Sequence, residues 1–491
     1  MKKLVKILCK ALAILLLVGF GTHFILQILG KQNPVWSVAD KAYQSFFHKT
    51  SNASVTEFKE LMGGMALGVC HPYTDPYNLS LLKEGNIGWI RIDIPWNAPF
   101  EVDADGNPVL DGDGRPVETQ RYLEFKEKCR FFRESGIKVM AITPYPDDWL
   151  DAVGEIDLFR SGGEAFSEKF LRMVDARCSY LAEDLTAGDK LVNCFQISNE
   201  LTVPKWQGAL TLEQICQYQH VQMKAMHETC LRAGVPIGYN VACVGAGMMD
   251  YPVRMQQFAE DFDYVALDLY LGCFEDQMKS TRYFDAMLRC LWQISHKPIL
   301  LNEFGYISTG SPKDAQQRAS YLLETFGEEF CTEEKIKADI GPFLDKWEFL
   351  VGKESSLVRE ARRRLQTEGP EAAAAYVFSS SEISHLYKAL PDGYRLRKFD
   401  HTEEGQAAFY TDVIDRISRL DFLCGIFCYC YSDSESCYQC GQKGCPVETG
   451  WGLVSIPRGI PASEMNENTV RRKPSYYAVR DAYGRILAKE K

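Results

Sequence analysis

Eight short apolar runs alternate with longer amphipathic stretches along this chain, at residues 65–69, 87–94, 138–142, 192–197, 236–241, 264–269, 298–301 and 424–428. Runs of four to eight apolar residues separated by helical patterns are the signature of parallel βα units. Between the second and third runs, Tyr122, Phe125, Cys129 and Phe132 lie on one helical face, and Ser135-Gly136 stops the helix. Phe166, Phe170, Val174 and Leu181 form a similar stripe before the fourth run. Eight such units predict an α/β protein built as a (β/α)8 barrel. The rhythm breaks at 311–400, where no strand pattern occurs and the chain is charged and helical, as in LVREARRRLQTEGPEAAAAY. This stretch is expected to be a helical insertion in the loop after the seventh strand. There it would either wall the cleft or form a solvated decoration. A regular helix resumes at 403–417 before the eighth strand.

The N-terminus follows a different pattern. Lys2, Lys3, Lys6 and Lys10 precede an apolar stretch at 11–29, uninterrupted only as far as Phe20. Roughly twenty residues just cross a bilayer's hydrocarbon core, whereas the clean part alone has the length of a cleavable signal's apolar region. Residues 1–30 therefore read as an anchor or a signal, 31–58 as a stalk, and 59–491 as the barrel domain. Either reading leaves the lysines in the cytoplasm and makes the domain extracellular, membrane-anchored or secreted. Its membrane contact would run through the N-terminal segment alone.

Length and composition narrow the classes. The 491 residues are 46% hydrophobic, enough for a barrel of about 250 residues with insertions. A formal charge of −11 and a pI near 5.4 exclude the basic face that nucleic acid requires. Of the 17 cysteines, Cys194, Cys243 and Cys424 sit in apolar runs, where a thiol behaves as a small hydrophobe. Cys437, Cys440 and Cys445 form a compact loop that suits a disulfide, free thiols or a metal. There is no His-Glu-x-x-His, glycine-rich phosphate loop or Gly-x-Ser-x-Gly.

Two of the apolar runs end in Asn-Glu. One is Gln196-Ile-Ser-Asn199-Glu200; the other is Lys297-Pro-Ile-Leu-Leu-Asn302-Glu303-Phe-Gly305. Each delivers a carboxylate to the C-terminal tip of a strand, where barrel enzymes do their chemistry. A third Asn-Glu, at Asn466-Glu467, has no strand before it. These two segments resemble the fourth-strand acid/base and seventh-strand nucleophile motifs of the clan A glycoside hydrolases, the (β/α)8 group that includes families 5, 39 and 42. Residues 87–96, with Arg91, resemble that clan's second strand. Gly425 to Asp433, Gly450-Trp451 and Arg472 to Tyr477 resemble its closing strand and tail. The resemblance covers roughly residues 67–480 apart from the insertion.

The resemblance implies a retaining glycoside hydrolase acting on an oligo- or polysaccharide, with Glu303 as nucleophile and Glu200 as acid/base. Arg91 would favour the ionised form of Glu303, whose charge would hold the Glu200 proton until the glycosyl-enzyme forms. Tyr270 resembles the tyrosine that hydrogen-bonds the nucleophile, and Asp268, two residues earlier, faces the same side. Asn199 resembles the contact to the sugar's 2-hydroxyl, and His71 is a candidate for the pocket wall. The chain departs from the clan's pattern in the eighth strand, where Tyr429 stands in place of a subsite tryptophan. Trp451, Trp96, Trp149 and Trp206 are candidate sugar platforms. Two carboxylates need no cofactor and no metal. A transglycosylase would share the nucleophile. The alternative from another class is a surface carbohydrate-binding protein that keeps the barrel without turnover.

Overall fold

The computed structural model describes residues 51–163, 165–242, 250–273, 278–309, 315–351, 356–379, 386, 395–434, 449–457 and 459–490. The apolar run at 11–29, Cys243 and the loop of Cys437, Cys440 and Cys445 lie outside them. Among the described residues no helix is long and apolar enough to cross a membrane.

All eight apolar runs are strands, and they close into one parallel barrel in chain order. They are β1 (Ala66–Cys70), β2 (Trp89–Asp93), β3 (Lys138–Ile142), β4 (Cys194–Gln196), β5 (Ile237–Ala242), β6 (Tyr264–Leu269), β7 (Ile299–Phe304) and β8 (Leu423–Cys428). Most are buried along their full length, as strands covered on both faces must be. The seam joins β8 to β1, pairing Ala66 with Gly425 and Val69 with Cys428.

Helices sheath the barrel, and their ends follow capping rules. The helices used below are α1 (Ser51–Met62), α2 (Pro76–Glu84), α3 (Gln120–Glu134), α4 (Glu168–Thr186) and α5 (Leu212–Ala233). After them come α6 (Arg282–Ser295), α7 (Glu403–Ile417) and α8 (Pro474–Glu490). Asp75 caps α2 by accepting from the backbone N–H groups of Tyr77 and Asn78. Thr211 and Gln214 cap α5 reciprocally, and Gly234 ends that helix in the left-handed conformation.

One boundary differs from the pattern. Helix α1 begins inside the span read as stalk, and its Val55 and Phe58 are buried in the barrel's core. The Phe58 ring lies 5.7 Å from that of Tyr264, and Lys59 Nζ donates to the Asp421 carbonyl at 2.9 Å. The packed unit therefore includes Val55 and Phe58, within the span read as stalk. The described part of the insertion is mostly helical, at Ala315–Phe326, Glu333–Ala338, Ile340–Val351, Ser356–Thr367 and Pro370–Ser379, with no strand in it. It buries a core of its own around Phe326, Phe343 and Trp347. The chain returns to the barrel through the Tyr306 hydroxyl, which donates to the Phe399 carbonyl at 2.7 Å and accepts from Leu396 N at 3.2 Å.

The seam is tied by α8. The Tyr483 hydroxyl lies 2.9 Å from the Gly68 carbonyl and 3.0 Å from that of Ile426, bridging β1 and β8. Tyr483→Phe keeps the packing and removes the bridge. It is expected to cost about 1–3 kcal/mol in denaturant unfolding; an unchanged midpoint would mean the seam does not depend on this contact.

Candidate active site

A bulge in β7 builds the site. Pairing of β6 with β7 runs Leu267 to Leu301 and then Asp268 to Glu303, skipping Asn302; the β7–β8 register shifts over the same residues. In a regular strand, Asn302 and Glu303 would face opposite sides. The extra residue instead lets both reach partners inside the barrel, the usual service of a bulge beside a functional site. Asn302 Nδ2 donates to Gln196 Oε1 at 2.7 Å, and Glu303 Oε1 accepts from Arg91 Nη1 at 2.5 Å.

Arg91, fully buried on β2, is the hub. Its Nε donates to Gln196 Oε1 at 2.8 Å and its Nη2 to Asn199 Oδ1 at 2.6 Å. Burial alone would pull the guanidinium's pKa down, but Glu303, Asp268 and Asp93 outweigh it and hold the group well above its ordinary value. The Tyr270 hydroxyl donates to Glu303 Oε2. Burial first, then the charge of Glu303, pushes that phenol up, so it stays a donor. Both oxygens of Glu303 are thus held by donors.

Glu200 is delivered differently. The chain leaves β4 through two left-handed residues, Ser198 at φ 54° and Glu200 at φ 48°. Such conformations are strained for side-chain-bearing residues and persist only when the surroundings impose them. Ser198 N donates to Thr143 Oγ1 at 2.8 Å, and Glu200 N to Asn240 Oδ1 at 3.0 Å. Asn240 Nδ2 donates in turn to Asn199 Oδ1 at 2.7 Å and to Asp268 Oδ2. Carboxyl oxygens of Glu200, Asp268 and Glu303 lie within 4.8 Å of one another. Burial, then Glu303, raises the Asp268 pKa far above the carboxylate range.

The remaining candidates surround this core. His71 follows β1 at φ 54°; its Nδ1 is 3.5 Å from Asp93 Oδ2, and its ring lies 6.2 Å from that of Tyr429. Tyr429 meets Tyr270 and Trp451 edge-on at 5.6 and 5.8 Å, and Trp451 meets Tyr270 at 5.0 Å. Trp451 is buried and backs the site. Trp149 is no platform: it is fully buried, donates to the Trp96 carbonyl at 3.1 Å and lies beneath Arg177. Trp96 is half exposed, and Trp206 packs on Tyr145 with ring centroids 4.9 Å apart. Arg91, Asn199, Glu200, Tyr270 and Glu303 therefore converge on one spot, with His71, Tyr429 and Trp451 bordering it.

Gln196, Asn240 and Tyr145 were not among the sequence candidates. Gln196 and Asn240 each interrupt an apolar strand run with an amide, and a buried amide in a barrel strand marks a hydrogen-bonding duty. Tyr145 lies beside the Asn199 side chain, in the field of Asp93, Glu200 and Glu303. Nothing in its local pattern distinguishes it. The 12 described cysteines form no disulfide, with Cys194 and Cys424 buried as their runs implied.

No family model and no curated protein matches the chain. Solved structures do align with it. A family 2 β-galacturonidase from Eisenbergiella tayi bound to galacturonate shares 10% identity over 85% of this chain and 50% of that one, with a TM-score of 0.43. A β-D-glucuronidase from Dictyoglomus thermophilum shares 12% over 83% and 46%, with a TM-score of 0.42. A family 39 glycoside hydrolase from the gut symbiont Bacteroides cellulosilyticus WH2 shares 12% over 85% and 63%, with a TM-score of 0.43. The chain spans less than two thirds of each of these structures. The closed eight-stranded parallel barrel fits the clan A resemblance read from the sequence.

A buried ion pair that loses one partner leaves an uncompensated charge. Arg91→Met is therefore expected to cost about 3–5 kcal/mol in chemical unfolding. Adding Glu303→Gln should restore part of that loss; strictly additive costs would show that the two side chains do not depend on each other.

Proposed function

We propose that this protein is a retaining glycoside hydrolase with Glu303 as nucleophile and Glu200 as acid/base. The observation that carries the reading is the carboxyl pair itself: oxygens of Glu200 and Glu303 within 4.8 Å, at the C-terminal ends of barrel strands. Retention needs carboxyl groups about 5–5.5 Å apart, whereas inversion needs about 6.5–9.5 Å to admit a water.

Each neighbour then has a task. Arg91 and Tyr270 donate to the two oxygens of Glu303 and aim its carboxyl. Glu303 attacks the anomeric carbon while Glu200 gives its proton to the departing glycosidic oxygen, leaving a glycosyl ester on Glu303 and a carboxylate on Glu200. That carboxylate takes a proton from water, whose oxygen attacks the anomeric carbon and frees Glu303. Asn199, fixed by Arg91, Gln196 and Asn240, is available to the sugar's 2-hydroxyl. Trp96 and Trp206, on the loops after β2 and β4, offer faces for the rest of the glycan.

A panel of aryl glycosides tests this. Glu200→Ala should lose about 10²–10⁴ in rate and regain turnover with azide as the incoming nucleophile. Glu303→Gln should abolish hydrolysis, and NMR of the wild-type reaction should show the product's anomeric configuration retained. Binding of a glycan with no cleavage by the wild type would instead favour the carbohydrate-binding alternative. Inverted product would reassign Glu303 as a base.

We further propose that residues 1–30 export the barrel, as an anchor or a cleaved signal. The support is the lysine-flanked apolar run. Fractionation of expressing cells should find the protein in the membrane or the medium, and a purely cytoplasmic protein would overturn this reading.

A further inference from the structure

Three carboxyls and one guanidinium share the bottom of the cleft, and full ionisation would leave them far from neutral. Asp268 is the least exposed of the three, its side chain wholly buried. Arg91 spends its nitrogens elsewhere, on Gln196, Glu303 and Asn199, and comes no closer than 3.9 Å to Asp268 Oδ2. Oδ2 accepts from Asn240 Nδ2, while Oδ1 is sealed from solvent and has no hydrogen-bond partner among the described residues.

An ionised carboxylate only accepts, so a bare buried Oδ1 would carry charge with nothing to answer it. The groups facing Asp268 make that worse. Glu303 faces it from β7 and Glu200 from beyond β4, both within 4.8 Å, and a second anion at that range disfavours ionisation. Arg91 from β2 and Asn240 from β5 act the other way, while Cys70 on β1 and Tyr270 on β6 stay neutral, their thiol and phenol pushed up by burial.

We propose that Asp268 is a positioning residue that carries a proton at neutral pH, leaving the single Arg91 charge to Glu303 and giving Glu200 one anionic neighbour instead of two. Its catalytic meaning rests on the glycosidase reading; its protonation does not. A neutral Asp268 leaves the Arg91 cation to the nucleophile alone. It also spares the acid/base a second anion that would hold its proton too firmly for transfer.

Infrared difference spectroscopy reads this without any substrate. The spectrum of the wild type minus Asp268→Asn at pH 7 should contain the carbonyl stretch of a protonated carboxylic acid, shifted by H/D exchange. A carboxylate band in its place would overturn the proposal. In Glu303→Gln burial remains but a neighbouring anion is gone, so the same band should titrate about one pH unit or more lower. An unmoved midpoint would also overturn it, because the Asp268 proton would then be independent of Glu303 and could not serve its charge. If Asp268→Asn does not fold, [13C]aspartate labelling of the wild type and of Glu303→Gln isolates aspartyl carboxyls with Asp268 in place. None of these readouts needs turnover. A missing band therefore sinks this proposal alone, whereas absent glycoside cleavage sinks the proposed function alone.

Discussion

Arg91 is a cation in the middle of an apolar barrel, and a charge there is tolerable only where the surrounding strands answer it. They do so from several directions. Gln196 on β4 takes Nε, Glu303 on β7 takes Nη1, and Asn199 beyond β4 takes Nη2. The guanidinium's planar fork fixes these partners at set angles, which a lysine could not do. Removing it would leave more than a vacant site. Two amides and a carboxyl group inside the barrel would each lose a donor, and Glu303 its paired cation. The polar interior and the candidate chemistry are therefore one network. The apolar shell around it supplies the low dielectric that makes its hydrogen bonds strong.

That network explains where the barrel departs from regularity. The β6–β7 and β7–β8 registers both slip at Asn302–Glu303, and the slip allows consecutive residues to serve the same interior. A perfect strand would send one of them into the helical layer. Irregularity at β4 has the same cause. Ser198 and Glu200 hold left-handed backbone, at a cost of order 1–3 kcal/mol each, offset by the Thr143 and Asn240 bonds.

The same features decide what the sequence made legible. Strands β3 and β6 coincide with their apolar runs, because burial on both faces needs continuous apolar residues. Strand β7 runs three residues past its apolar run, since periodicity stops at Leu301 whereas hydrogen bonding, carried by the bulge, continues to Phe304. The glutamates were legible because a carboxylate at the tip of an apolar run contrasts with its neighbours, whereas Arg91, midway along β2, and Tyr270 were legible through the clan resemblance. Tyr145 was not: its role comes from the loop bringing it to Asn199, and no local pattern encodes that approach. Trp149 erred in the opposite direction. A tryptophan just past a strand can line a cleft or plug the space beneath it, and only packing against Arg177 and the Trp96 carbonyl distinguishes the two. Helix α1 was hidden for a related reason, since Val55 and Phe58 are too few to outweigh the polar residues between them.

Asn240 links the two halves of the site. Its carbonyl oxygen takes the Glu200 backbone N–H, and its amide nitrogen gives to Asp268 and Asn199. An amide in this position is oriented by its donors and acceptors together. Any change in what Asp268 Oδ2 offers must therefore be felt by the strained turn that carries Glu200. Glu200 is thus coupled to the Glu303 side of the site through backbone as well as through space. A carboxyl pair joined only through space would exchange charge information; this pair also shares a geometric restraint.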